Sequence, residues 1–149
     1  MRPICLPHQG DDFLKNEGSD VTLTGFGYAN DTYVPDKLQR GDLEIMDHTE
    51  CIANYRNTNA AIKGSQMCAR GRSNSATNSC KGDSGSGLVT HNTATGRETL
   101  VGVVSYGGSR CGGANRPSVY TNVIEHVDWI NSIINKGLIF IMFNKKIII

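Results

Sequence analysis

Ser84 stands between glycines in the string Gly82-Asp83-Ser84-Gly85. A serine hydroxyl is a poor nucleophile at neutral pH. It becomes reactive only where a base takes its proton and N–H donors hold the oxyanion that forms. Flanking glycines let the backbone turn sharply and bring amide N–H groups into one pocket, so this string could do acyl-transfer chemistry. The same four residue types also make ordinary turns, and the string alone does not choose between the two.

The cysteines are the second chemical feature. Five occur in 149 residues, at Cys5, Cys51, Cys68, Cys80 and Cys111. None forms a C-x-x-C pair, so a zinc or thiol-redox reading has no support and no metal or other cofactor is expected. Their wide spacing argues for long-loop disulfides made in an oxidising, extracellular compartment, with buried free thiols as the alternative. Five is odd, so one cysteine is free or paired outside the chain. Met1-Arg2-Pro3-Ile4-Cys5 has no apolar run behind it and carries no secretory signal. A start of the protein upstream of Met1 reconciles the two observations.

The elements that must position these residues read as strands. Hydrophobic residues make up 38% and charged residues 19%, with 17 glycines, which is the composition of one globular domain. A net charge of +1 gives no electrostatic footprint for nucleic acid or an anionic membrane. Residues 1–20 are polar and turn-rich and read as a surface connection. Val21-Thr22-Leu23-Thr24 alternates, as does Leu38–Met46 with Leu43 and Ile45 on one face. The polar stretch Asp47–Asn59 holds Cys51 and has room for a brief helix, Met67-Cys68-Ala69 is a short apolar piece, and Gly71–Asn78 is a loop. Gly87–Thr90 and Leu100–Tyr106 are strands joined as a hairpin, followed by a strand at Val119–Val123. From Glu125 the spacing turns helical, with Val127, Ile130, Ile133 and Ile134 on one stripe, Trp129 packing against the core, and Gly137 closing the helix. Short strands, glycine-marked corners and a terminal helix suggest an antiparallel barrel. The tail 137–149 is set apart: Leu138–Phe143 is far shorter than the ~20 apolar residues that span a bilayer. An interfacial segment and a sequence artefact are its two accounts.

Cys80-Lys81-Gly82-Asp83-Ser84-Gly85, Val103-Val104-Ser105-Tyr106-Gly107, Pro117–Val123 and Val127-Asp128-Trp129-Ile130 resemble, in order and spacing, the trypsin-like (chymotrypsin-fold) serine proteases. Leu6-Pro7, Thr24-Gly25-Phe26-Gly27 and Leu38-Gln39 match upstream. The resemblance covers about residues 3 to 136 and implies the C-terminal half of the catalytic domain: an all-β, six-stranded antiparallel Greek-key barrel with a C-terminal α-helix. It implies Ser84 as nucleophile and the N–H groups of Gly82 and Ser84 as oxyanion hole. Asp83 would pair with the N-terminus released on zymogen cleavage. Ser105, Tyr106 and Gly107 would pair with the substrate backbone. Asn78, Gly107 and Ser118 would line the specificity pocket, Cys51–Cys68 and Cys80–Cys111 would be disulfides, and Cys5 would bridge to an upstream propeptide or regulatory domain. Protein or peptide substrates and secretion are implied with these. Cys5, the two bridges and an absent third resemble clip-domain proteases in particular.

The departures bear on activity. Asn78 stands where the trypsins place an aspartate, and a neutral amide cannot supply the charged bidentate partner that selects Arg or Lys. Ser118 replaces a usual glycine. Gly85-Ser86-Gly87 replaces Gly-Gly-Pro, and Phe26 and Tyr106 stand where tryptophan is commoner. Val21, often a cysteine in the family, and the region of its usual partner near Thr90 both lack one. None of the four histidines, His8, His48, His91 and His126, lies in the family's catalytic-histidine context, and all read as surface residues. Asp11, Asp12 and Asp31 read as solvated and Lys81 as an exposed rim residue. The catalytic His and Asp would precede Met1. The expectation is therefore a serine endopeptidase represented by a fragment that is inactive alone, the alternative being a non-catalytic homologue that serves as a binding or regulatory module.

Overall fold

A computed structural model of the chain describes residues 4–8, 10–107, 110, 111 and 117–144, with the backbone alone for 74 and 137–144. Its strands are β1 (Asp20–Gly25), β2 (Gln39–Ile45), β3 (Gln66–Gly71), β4 (Gly87–Asn92), β5 (Arg97–Tyr106) and β6 (Ser118–Asn122). They close into an antiparallel barrel in the order β1-β2-β3-β6-β5-β4. The connection from β3 to β4 skips over β6 and β5, and that excursion, residues 72–86, carries the Ser84 turn.

Alternation explains the closure. Val21, Leu23, Leu43, Ile45, Met67, Ala69, Leu88, Val101, Val104 and Tyr120 come from all six strands into one buried cluster, joined by Leu14 from the turn Asp11–Lys15. Residues of opposite parity, Cys68 and Val119, face outward into a second cluster with Met46, Cys51 and Tyr55. That cluster seats helix α1 (His48–Tyr55), whose Cys51 and Tyr55 recur at helical spacing. Asp47 caps α1 by accepting from the Glu50 N–H at 2.9 Å, which holds the Asp47 carboxyl below its ordinary range. Arg70 on β3 bonds Glu44 of β2 and Glu50 of α1, each at 2.8 Å, and ties the helix to the sheet.

The expected strands, the hairpin and the brief helix all form. The Met67-Cys68-Ala69 piece proves to be the middle of β3. At the C-terminus two expectations are corrected. Helix α2 (Val127–Asn144) does not end at Gly137; a helical glycine costs only about 1 kcal/mol, and apolar helix formers follow it. Trp129 does not pack on the core: it is 65% exposed, because it lies two residues, about 200° round the helix, from the buried Val127. Ile133 and Ile134 are exposed as well, so among the described side chains of α2 it is the first turn that rests on the barrel. The final residues of the tail, 145–149, lie outside the described residues. No described helix is long and apolar enough to cross a membrane.

The first segment is also more than a connection. Cys5 pairs in parallel with Thr99, its N–H donating to the Glu98 carbonyl at 3.2 Å and its carbonyl accepting from the Leu100 N–H at 2.9 Å. On β4, opposite β1, Thr90 Oγ1 donates to the Asp20 carbonyl at 2.8 Å, close to Val21, so a hydrogen bond joins the two strands there. Leu43 is fully buried at the barrel centre. Leu43→Ala is expected to destabilise the oxidised chain by about 2–5 kcal/mol in urea unfolding, whereas the exposed Ile134→Ala changes it by less than about 0.5 kcal/mol.

Candidate active site

Ser84 is exposed at the apex of the turn Lys81–Gly85. Gly82 (φ +91°) and Gly85 (φ +84°) both occupy the left-handed region that L side chains avoid, which is why glycines flank it. Asp83 N–H donates to the Cys80 carbonyl at 3.0 Å, and Ser86 N–H to the Asp83 carbonyl at 2.9 Å. Gly85 N–H donates to the Val104 carbonyl at 3.0 Å, pinning the turn to β5. The N–H groups of Gly82 and Ser84 donate to nothing among the described residues, and neither does the Ser84 hydroxyl. Two free N–H donors beside a free hydroxyl are what an oxyanion formed at that hydroxyl requires.

Asp83 points the other way, into the protein. It is 7% exposed, and its carboxylate accepts from Gly27 N–H at 2.8 Å and Cys80 N–H at 2.9 Å. No cation among the described residues pairs with it. The carboxylate lies so close to the loop after β1 that a Cβ on Gly25 would overlap Asp83 Oδ1, and one on Gly27 would come within 2.8 Å of the Asp83 nitrogen. Tyr28 N–H donates to the Lys81 carbonyl at 2.9 Å, completing the contact. Thr24-Gly25-Phe26-Gly27 is therefore the cradle of the Asp83 carboxylate. Beside it lies a cavity of about 340 Å³ lined by Gly25, Gly27, Tyr28, Asn78, Asp83 and Cys111, among others.

The bridges Cys51–Cys68 and Cys80–Cys111 both form, and Cys5 is the free cysteine. The second bridge joins the Ser84 turn to the loop after β5. Ser118 is fully buried, and Ser79 Oγ and Ser118 Oγ are hydrogen-bonded at 2.7 Å. A Cβ on Gly107 would meet Ser118 Oγ at 2.9 Å, so glycine and serine pack as a pair. Asn78 is half-buried, and its Oδ1 accepts from Ser79 N–H at 3.0 Å. Gly107 and Ser118 are thus in contact, and Ser79 ties Ser118 to the segment that carries Asn78. Ser105 is the extra residue of a bulge: Val104 opposes Tyr120 and Tyr106 opposes Val119. The bulge leaves Ser105 exposed and re-aims the end of β5.

Two residues of the site were not singled out from sequence. Tyr120, two residues from Ser118 on β6, is buried beside Ser79 and Ser118, and its hydroxyl lacks a well-formed hydrogen bond among the described residues. Burial pushes its pKa above the ordinary 10.0, and so keeps it neutral. Tyr55 of α1 donates to the Pro117 carbonyl at 2.6 Å and meets Tyr106 edge to face at 5.9 Å. Strand alternation from Ser118 points to Tyr120; nothing local to α1 points to Tyr55. Lys81 is exposed as expected. Asp31 is not merely solvated, since it accepts from Cys111 N–H at 2.9 Å. The histidines stay apart from Ser84: His8 and His48 are exposed, His91 pairs with Glu98 at 3.0 Å, and His126 sits in the turn before α2.

The Trypsin family profile matches residues 1–130. The CLIP domain-containing serine protease B15 of Anopheles gambiae is 36% identical over 134 residues, covering 89% of this chain and 36% of that protein. Coagulation factor XI of Bos taurus is 38% identical over 130 residues, 86% of this chain and 19% of that protein. Transmembrane protease serine 7 of Mus musculus is 34% identical over 131 residues, 88% and 15% respectively. The chain thus spans 15 to 36% of the length of these relatives.

Gly27→Ala is expected to force the Asp83 carboxylate from its seat and cost about 1–3 kcal/mol in urea unfolding. Gly64→Ala, where a Cβ meets open space, is the near-neutral control. The raised pKa of Tyr120 favours the folded state below pH 10, and that contribution is lost as pH rises beyond it, because only the unfolded chain then releases the proton. In a tyrosinate absorbance titration Tyr120→Phe should remove one tyrosine's worth of the component that ionises only with unfolding.

Proposed function

The chain belongs to the trypsin family of serine proteases, and on that premise we propose that Ser84 is the nucleophile of a secreted serine endopeptidase. Hydrolysis of peptide bonds is the family's activity. The observation that carries the assignment is the exposed Ser84 hydroxyl beside the unengaged N–H groups of Gly82 and Ser84. Ser84 Oγ attacks the substrate carbonyl and gives its proton to a base, and the two N–H groups receive the oxyanion. The acyl-enzyme is then released by water. No histidine of this chain is bonded to Ser84, so the base and its orienting carboxylate come from outside residues 1–149, and the chain alone is inactive. The bulged end of β5, Ser105-Tyr106-Gly107, offers backbone groups to an extended peptide.

Asp83 is the acceptor for the α-ammonium released by zymogen cleavage. The cavity beside it, lined by the carboxylate and two glycines, supports that role, and the ion pair would neutralise a charge now held by two N–H groups alone. Asn78, Gly107 and Ser118 are taken as the walls of the specificity pocket; none of them carries a charge, which favours an uncharged residue on the acyl side of the cut over Arg or Lys. Cys5 carries a disulfide to a propeptide or regulatory domain, supported by its being free in this chain and partly accessible. The same neutral pocket keeps a second reading in view, a non-catalytic homologue that binds without cutting.

In the full-length activated protein, Ser84→Ala should lower kcat on an amide substrate by about 10^6-fold. The isolated chain should show no turnover that Ser84→Ala abolishes; such turnover would place the base within these residues and refute the proposal. An activated full-length protein without amidase activity would leave the binding module standing. Asn78→Asp should raise kcat/KM for Arg over an uncharged side chain by about 10- to 100-fold, the worth of one charge-assisted hydrogen bond.

A further inference from the structure

Asn30-Asp31-Thr32 is the one Asn-x-Ser/Thr triplet in the whole chain. It lies in the loop between β1 and β2, and all three residues are exposed. Asn30 Oδ1 accepts from Thr32 N–H at 3.0 Å, Thr32 Oγ1 at 3.1 Å and Tyr33 N–H at 2.9 Å. Ala29 N–H donates to the Tyr33 carbonyl at 3.0 Å and closes the loop. All the hydrogen bonding of the Asn30 side chain falls on its oxygen; Nδ2 donates to nothing among the described residues. Asp31 fastens the loop from the other side through the Cys111 N–H. Thus the loop is fixed by the groups around the Asn30 nitrogen, and the nitrogen itself is left over.

We propose that Asn30 is an N-glycosylation site and that its glycan stands on the β1–β2 loop. The step is the attack of Asn30 Nδ2 on the anomeric carbon of a lipid-diphosphate-linked oligosaccharide. A C–N bond forms, the C–O bond to the diphosphate breaks with its electrons on the leaving group, and the nitrogen gives up one proton. The bland reading is that an Asx turn is simply a good way to close a loop. The chain supplies a contrast in Asn78-Ser79-Cys80, a degenerate version of the same triplet. There Asn78 is half-buried, Ser79 is bonded to Ser118 and Cys80 is in a disulfide, so a glycan has no room. At Asn30 a glycan displaces no packed group and disturbs none of the three bonds to Oδ1. The loop borders the cavity through Tyr28 and Ala29, and Tyr28 bonds Lys81 of the Ser84 turn. Carbohydrate on Asn30 therefore flanks the approach to that turn, where it bars bulky protein partners more than short peptides.

The inference rests on the proposed secretion, so two samples are needed. One is the 149-residue chain expressed in insect cells behind a supplied secretion leader. The other is the native protein isolated from its source. Peptide mapping before and after peptide-N-glycanase should find a glycan on Asn30 in both, replaced by aspartate after treatment. Thr32→Ser should keep it. Thr32→Ala, which leaves both backbone bonds to Asn30 Oδ1 in place, should abolish it. An unmodified Asn30 in the leader-directed chain overturns the site whatever the native compartment. A glycan there but not on a native protein whose Cys80 and Cys111 are reduced overturns the site in the native protein and the secretion reading together. A bare Asn30 on native protein with both disulfides formed overturns the glycosylation alone.

Discussion

A carboxylate removed from water has to be compensated by whatever surrounds it, and Asp83 has two backbone N–H groups and no cation among the described residues. Hydrogen bonds to a charged group contribute about 1.5–3 kcal/mol each, which offsets part of the desolvation and leaves the rest as a demand on the structure. Much of the site's form follows from that demand. One donor, Gly27, sits just past the end of β1, and the other, Cys80, opens the turn that Asp83 belongs to. The carboxylate thereby holds a loop from one side of the barrel against a turn from the long β3–β4 excursion. Because Asp83 faces inward, Ser84, its neighbour, faces out.

The remaining constraints act from the opposite wall. Cys80–Cys111 joins the turn to the loop following β5, and Ser79–Ser118 joins it to β6. Tyr55 bonds the Pro117 carbonyl immediately before β6 and lays its ring against Tyr106 at the end of β5. Three separate segments are thus drawn to one end of the barrel by one disulfide and a few polar contacts. The side chains gathered there are neutral, since none of Asn78, Ser79, Ser118 and Tyr120 carries charge at ordinary pH.

Local chemistry was legible in the sequence, and relations between distant segments were legible only where a motif encoded them. The glycine-flanked Ser84, the alternation of Leu43 and Ile45, and the hairpin into Leu100–Tyr106 follow from rules that act within a few residues. The two bridges followed from resemblance, since spacing alone permits many pairings. An aromatic residue near a helical stripe suggests burial, but Trp129 lies on the side of α2 turned away from the buried Val127. Gly137 misled because a glycine penalises a helix without ending it. Asp31 reads as a solvated turn residue because its partner, Cys111, is remote in sequence. The reason that Gly25 and Gly27 are glycines lies in a carboxylate contributed by residue 83, and no periodicity could disclose it.

The barrel is not equally closed all the way round. β1 matches β2 over six paired positions but meets β4 over two, Thr22 with Val89 and Leu23 with Leu88, where Thr90 adds a single hydrogen bond. A ladder that short has little to lose on opening, so local unfolding of the cylinder is expected to begin at this seam. β1 runs from the seam directly into Gly25 and Gly27. Each excursion that lifts β1 from β4 also loosens the cradle of Asp83, so the order of the site is linked to the closure of the cylinder at its weakest join.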